Sequence, residues 1–219
     1  MVPTARSLDD LSRGGGITAT FHAGGAALGH HWQLSAQDGT TLAHTARVHS
    51  GGKSAQMFWK FITVTGLDAN NDIHVELVGA DNVPLGRASS SYSKETVTVL
   101  DPAGRQVARS KREKKTLSLF GADDGEVAEL TCEGDGPWPV TSQEGRVLGE
   151  LLAGEPGPSL SPELWHWVDP QWALNTATYA RTMHLGLRRV KRYSLAPATS
   201  GHAQPPAVTL LPLLAGLTY

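Results

Sequence analysis

The densest run of charge in the chain is Arg109-Ser-Lys-Arg-Glu-Lys-Lys115. Val107 precedes it and Leu117 and Leu119 follow it, so it reads as the tip of a hairpin. Alternation places Arg109, Lys111 and Lys115 on one face and Arg112 and Lys114 on the other. Five cations on one tip can neutralise the phosphates of a lipid, a nucleotide or a nucleic acid. Beside an anionic surface each contributes about 1 kcal/mol. The plainer reading is a solvated tip that keeps the hairpin soluble. A second basic group, Arg188, Arg189, Lys191 and Arg192, joins the first if the fold brings the two together. Neither run is interleaved with aromatic residues, which argues against nucleic acid.

Other constellations are weaker. Asp68-Ala-Asn70-Asn-Asp72 has the opening ligands of a calcium loop, but Ile73 stands where glycine is needed and Gly79 where glutamate is needed. Gly51-Gly-Lys53-Ser54 resembles the end of a phosphate-binding loop, with Arg47 in place of its first glycine. Of nine histidines, His22, His30, His31, His44 and His49 crowd the first hairpins. His30 and His31 fall on opposite faces of a strand, a poor start for a zinc site. Trp165, Trp167 and Trp172 form a sugar platform or, as tryptophans beside a proline loop more often do, the plug of a barrel end. There is no Gly-x-Ser-x-Gly elbow, and Cys132 has no local partner. No catalytic residue, metal ligand or cofactor is expected.

These residues need a scaffold, and the totals bound it. The chain has 219 residues, two fifths of them apolar, and a formal net charge of -2. No global field draws it to nucleic acid or membrane. A single cysteine forms no internal disulfide and fits a reducing compartment. No signal-peptide run and no stretch of about 20 apolar residues is present. A cytoplasmic protein is expected.

Residues 1–16 read as a flexible polar arm. From Ile17 the text becomes strand-like: Ile17–Phe21, Trp32–Ala36, Phe58–Val64, Ile73–Val78, Thr96–Leu100 and Thr116–Phe120 all show period two. Between them one phrase recurs: a turn rich in Asp, Asn, Glu or Gly, then an aliphatic residue, then a small one. It appears as Asp38-Gly-Thr-Thr-Leu-Ala43, Asp81-Asn-Val-Pro-Leu-Gly86, Asp101-Pro-Ala-Gly-Arg-Gln-Val-Ala108, Asp124-Gly-Glu-Val-Ala128 and Glu144-Gly-Arg-Val-Leu-Gly149. Such pairs supply the positive φ of a two-residue hairpin turn, and the small residue lets strands approach closely. Two strands every twenty residues is the rhythm of an antiparallel meander. Gly154–Pro162 is a proline-rich loop. Thr176–Leu195 carries both helical and strand spacing; Gly186 weakens a helix there by about 1 kcal/mol, so strand is preferred.

The tail, Ala207-Val-Thr-Leu-Leu-Pro-Leu-Leu-Ala-Gly-Leu217, is apolar on every side. It is too short for lipid, so a helix over 206–217 must lie inside protein. Pro206 suits the first helical position, and Pro212 should kink the helix or split it in two.

A meander of hairpins followed by a wholly apolar C-terminal helix resembles the tubby-like superfamily: tubby C-terminal domains, phospholipid scramblases and LURP-one-related proteins. The matching residues are Val99–Val107, Leu119–Ala128, Tyr179–Leu187, Tyr193-Ser-Leu195 and the tail. The resemblance implies one mainly β domain over 17–219, a closed antiparallel barrel of about twelve strands around the C-terminal helix. It further implies a non-enzymatic module that binds phosphoinositide or other anionic head groups through basic residues, peripheral to a membrane. The alternatives are a structural or protein-interaction barrel without a small ligand, and an enzyme of unknown class.

Overall fold

The computed structural model describes residues 5–13, 16–21, 32–47, 73–79, 83–91, 95–133, 136–154, 192–198 and 204–218. Its elements are helix α1 (Leu8–Arg13), strands β1 (Ile17–Phe21), β2 (Trp32–Ala36), β3 (Thr41–Arg47), β4 (Ile73–Gly79), β5 (Pro84–Ser90), β6 (Thr96–Leu100), β7 (Gln106–Glu113), β8 (Thr116–Phe120), β9 (Glu126–Thr131), β10 (Trp138–Thr141), β11 (Val147–Gly154) and β12 (Arg192–Pro197), and helices α2 (Pro206–Thr209) and α3 (Leu211–Thr218). Each strand pairs antiparallel with its neighbours in sequence, and β12 returns to pair with β1. The result is the expected closed barrel of twelve strands with the C-terminal helix inside it.

Period two decides what faces inward. Along β6 and β8, Val97, Val99, Leu117 and Leu119 are fully buried while their neighbours are only half-buried. These inner side chains meet the tail, in which Leu210, Leu211, Leu213, Leu214 and Leu217 are all buried. Burying a leucine stabilises by about 1.5–3 kcal/mol relative to leaving it in water. The tail and the wall therefore depend on each other, because each covers apolar surface that the other exposes.

Pro206 occupies the first helical turn, as its fixed φ and missing N–H allow. The helix does break ahead of Pro212: Leu210 lies between α2 and α3. Pro212 then sits in the first turn of α3, where no intrahelical partner for its nitrogen is required. Gly216 has a packing reason. A Cβ there would come within 2.5 Å of the Trp32 ring, which is buried and lies beside Tyr193 at 6.3 Å between centroids.

The turns differ from the two-residue expectation. Ala36, Asp101, Gly121 and Ser142 each donate their backbone N–H to the carbonyl four residues on. Each also accepts a bond from the residue three on: Gly39, Gly104, Asp124 or Gly145. That last residue has positive φ in every case. This is a type I turn followed by a left-handed residue and a bulge, and the strand register slips beside each turn. In the fourth phrase the left-handed position falls on Asp124, not on Gly125. The small residues do permit close approach: a Cβ on Gly86 would collide with the Leu100 carbonyl, and one on Gly149 would lie 2.6 Å from the Ala196 carbonyl.

The N-terminal reading needs correction. Residues 5–13 are not a free arm, because Ala5, Leu8 and Leu11 are buried in the core. Ser7 and Asp10 cap α1 reciprocally: Ser7 N–H donates to the Asp10 carboxylate, and Asp10 N–H to the Ser7 hydroxyl. The residues Gly51–Ser54, Phe58–Val64, Asp68–Asp72 and Gly154–Pro162, the tryptophans 165, 167 and 172, and His22, His30, His31 and His49 lie outside the residues whose side chains are described.

Candidate functional site

The alternation of strand direction gives the barrel two ends. At one, here the turn end, lie the bulged turns after β2, β6, β8 and β10, together with α1 and the start of α2. At the other, the tip end, lies the β7–β8 turn at Lys114 and Lys115. Strands ending at Phe21, Arg47 and Gly154, and those starting at Trp32, Ile73 and Arg192, also open at the tip end. The buried helix runs from the turn end to the tip end. Its thirteen residues span about 20 Å.

The five cations of the predicted site do not gather on one tip. Arg109 turns towards the turn end, where its Nε donates to Asp124 at 2.8 Å and its guanidinium lies 4.0 Å over the Phe120 ring. Its side chain is only 20% exposed. Gln106 donates to the same carboxylate. Asp124 is thereby held below the usual carboxylate range, by the Arg109 hydrogen bond first and the Gln106 bond second. Arg109 is thus a strut between β7 and the β8–β9 turn.

Around the tip itself lie Lys111, Arg112, Lys114 and Lys115. Lys111 pairs with Glu113 at 2.6 Å, and that bond holds Glu113 below its ordinary range. Lys115 pairs with Glu133 at 3.0 Å. Both pairs are exposed, and exposed pairs contribute about 0–1 kcal/mol. Lys114 occupies the turn with φ +56° and is exposed. No carboxylate among the described residues is within ion-pair distance of it.

Arg112 is different. The register sets it opposite the buried Leu117, on the inner side of the wall. Its Nη1 points at the carbonyl of Thr218, the last residue of α3, at 3.5 Å. The last turn of α3 carries no basic residue of its own. The partial negative charge at the helix C-terminus is therefore met by a cation from the barrel wall. The Thr218 hydroxyl donates back to Leu214.

Of the second basic group, Arg188, Arg189 and Lys191 lie outside the described residues. The backbone of Arg192 opens β12, opposite Gly154 and Thr20, at the tip end. Around the ring β12 is separated from β7 by β11, β10, β9 and β8. Arg192 and the β7–β8 tip thus share an end of the barrel but stand on different sides of it.

At the turn end a cleft of about 670 Å³ lies between α1, the β6–β7 turn and the start of α2. Leu8, Leu85, Val107 and Pro206 line it, and Arg6 and Arg105 stand among its charged groups. Arg105 is committed to Asp101 through both Nε and Nη2. The Arg105 backbone N–H, more than its guanidinium, keeps the Asp101 carboxyl low.

Inside the barrel Tyr193 has its pKa pushed up to about 12 by burial. No group of three or more His, Cys, Asp or Glu residues able to hold a metal occurs among the described residues. No helix among them is long and apolar enough to cross a membrane. Sequence reasoning missed the carboxylate partners Asp124 and Glu133 and the inward turn of Arg112. The partners lie fifteen and eighteen residues from their cations, and only the strand register brings them together. No protein-family model, no curated protein and no solved structure matches this chain.

Proposed function

We propose that this chain is a non-enzymatic binding module, a tubby-like barrel that recognises an anionic phospholipid head group or another phosphate-bearing ligand at its tip end. It works as a cytoplasmic protein, peripheral to the membrane. The single observation that carries the reading is the position of Lys111, Arg112, Lys114 and Lys115. They cluster at the β7–β8 tip, on one side of the barrel mouth towards which the buried helix points. The packed interior supports it too, since a barrel filled by its own helix is left with its ends and outer wall for a ligand.

Flotation with phosphatidylcholine vesicles containing phosphatidylserine tests it. The wild-type chain floats at low salt and less at moderate salt, because exposed charge pairs are screened. Replacing Lys111, Lys114 and Lys115 together by Ser, with Arg112 kept, lowers vesicle affinity roughly tenfold or more at about 1 kcal/mol per cation. Unchanged flotation of that variant rejects the tip as the site.

A second reading, a protein-interaction barrel without a small ligand, is favoured by the pairing of Lys111 and Lys115 with carboxylates. It predicts no vesicle response and a defined protein partner.

A further inference from the structure

We propose that the β7–β8 tip and the β9–β10 connection form one bilayer-facing surface, in which Lys114 and Lys115 meet lipid phosphates and the Trp138 indole enters the layer between head groups and acyl chains. The inference rests on the tip-end binding reading. It names a bilayer as the source of the phosphate and adds an apolar anchor to the cations.

Three contacts join the two segments. Cys132, just past β9, donates its backbone N–H to the Lys115 carbonyl at 2.8 Å. The Lys115 ammonium reaches the Glu133 carboxylate at 3.0 Å. The Glu133 carbonyl accepts the Trp138 indole N–H at 2.8 Å. Trp138 opens β10, which starts at the same end of the barrel as the tip. There Thr116 stands opposite Thr131, so β8 and β9 end level. Glu133 is thus a bracket, with its side chain on the cation and its backbone on the ring. Gly136 steadies the ring from another side: a Cβ on it would lie 3.5 Å from Cδ2 and Cε2 of the indole.

Trp138 packs against the core but is only half-buried, and its bond to Glu133 is exposed to solvent. A ring with an apolar body and one satisfied polar atom suits the bilayer interface, where tryptophan is enriched. Charge alone makes a weak anchor here. Lys111 and Lys115 are each paired with a glutamate, and the β9–β10 connection carries Asp135 in its sequence besides Glu133. Stable attachment to a membrane by modest contributions takes two of them. The tip supplies the electrostatic one, with Lys114 exposed in the turn, and Trp138 supplies the apolar one. A soluble phosphate compound would use only the first.

Tryptophan quenching by brominated lipids in the same phosphatidylserine-containing vesicles, read beside flotation, tests the proposal on the full-length chain. In the wild type, vesicle binding should quench part of the fluorescence. Trp138→Phe keeps an apolar ring, so it should still float, with affinity lowered roughly two- to fivefold, and it should lose that part of the quenching. Its loss of affinity should be the same at low and moderate salt, whereas the loss in the lysine variant shrinks as salt rises. A second measurement needs no substitution. Cys132, the single cysteine of the chain, should react severalfold more slowly with a water-soluble maleimide once vesicles are bound. Equal quenching in the wild type and Trp138→Phe, or an unchanged Cys132 rate, overturns the bilayer-facing surface and leaves the tip reading standing. Flotation abolished by excess soluble glycerophosphoserine overturns the bilayer as the source of the phosphate. A wild type that does not float overturns both readings.

Discussion

At the turn end, four strand connections repeat one hydrogen-bond scheme, with a left-handed residue at Gly39, Gly104, Asp124 and Gly145. A fifth connection, from Gly79 to Val83, keeps the same closing bond. At the tip end the described connections share no such scheme. The β7–β8 turn is a tight pair at Lys114 and Lys115, β5–β6 closes through Ser91 and Thr96, and Cys132 N–H donates to the Lys115 carbonyl. The turn end is specified by local backbone chemistry. The tip end is specified by side chains that join elements: Arg112 reaches in to the helix, and Lys115 reaches Glu133 just past the neighbouring strand β9. Repetition at one end builds the wall, and that frees the other end to vary. This is the division expected when a rigid scaffold carries a functional surface on its loops.

The sharpest way to break this comparison is to remove what both ends share. Deleting Ala207–Tyr219 takes away five buried leucines, each worth about 1.5–3 kcal/mol. The truncated chain should lose its cooperative thermal transition and its solubility, as calorimetry and sedimentation would show. A soluble truncate that unfolds cooperatively contradicts the interdependence of helix and wall.

Next in size are two glycines, one on each side of the comparison. Gly86→Ala drives a Cβ into the Leu100 carbonyl, and Gly216→Ala drives one into the Trp32 ring. Each should destabilise by about 1–3 kcal/mol, the usual cost of overpacking. Gly216 is the more telling, since helix propensity alone predicts a gain of about 1 kcal/mol from alanine. A raised Tm for Gly216→Ala means the Trp32 contact is wrong. Gly104→Ala, where φ is +82° and nothing crowds the Cβ, should cost only the left-handed backbone penalty of about 1–2 kcal/mol.

Acid should loosen the turn end by a smaller amount. The carboxyls of Asp38 and Asp101 are lowered chiefly by backbone N–H donors, of Thr40 and Arg105 respectively, and that of Asp124 by Arg109. A depressed folded-state pKa means the unfolded chain takes up protons first. The stability these groups provide is therefore complete above their ordinary value near 3.8. It is lost as pH falls through the lowered values. Thermal melts from pH 6 down to 2 should show this, with a shallower fall in Asp101→Asn. Smallest of all, Lys114→Ser with Lys115→Ser should shift stability by under about 0.5 kcal/mol, since exposed cations and an exposed ion pair hold little. A large loss of Tm would make the tip a structural element.

Much of the barrel was legible in the sequence, for identifiable reasons. Ile17–Phe21, Trp32–Ala36, Thr96–Leu100 and Thr116–Phe120 start and stop where expected. There, period-two alternation is bounded by turn residues. The break before Pro212 follows from a missing N–H. Helix α1 was not legible. Six residues beside Gly14, Gly15 and Gly16 look like a linker, and only burial of Leu8 and Leu11 against the barrel makes them a helix. The bulged turns were read as two-residue turns because composition reports a positive φ without reporting register. The candidate site was legible as a charge run only. Which cation is a strut, which closes the helix and which stays exposed depends on cross-strand neighbours that no local spacing encodes.

The central claim is that the apolar tail lies inside the closed wall, and native-state hydrogen exchange of the full-length protein tests it most directly. The account predicts that amides at 213–217 exchange as slowly as those of β6–β8, near the limit set by global unfolding. Exchange of these amides within seconds under native conditions, with β6–β8 still protected, would contradict it.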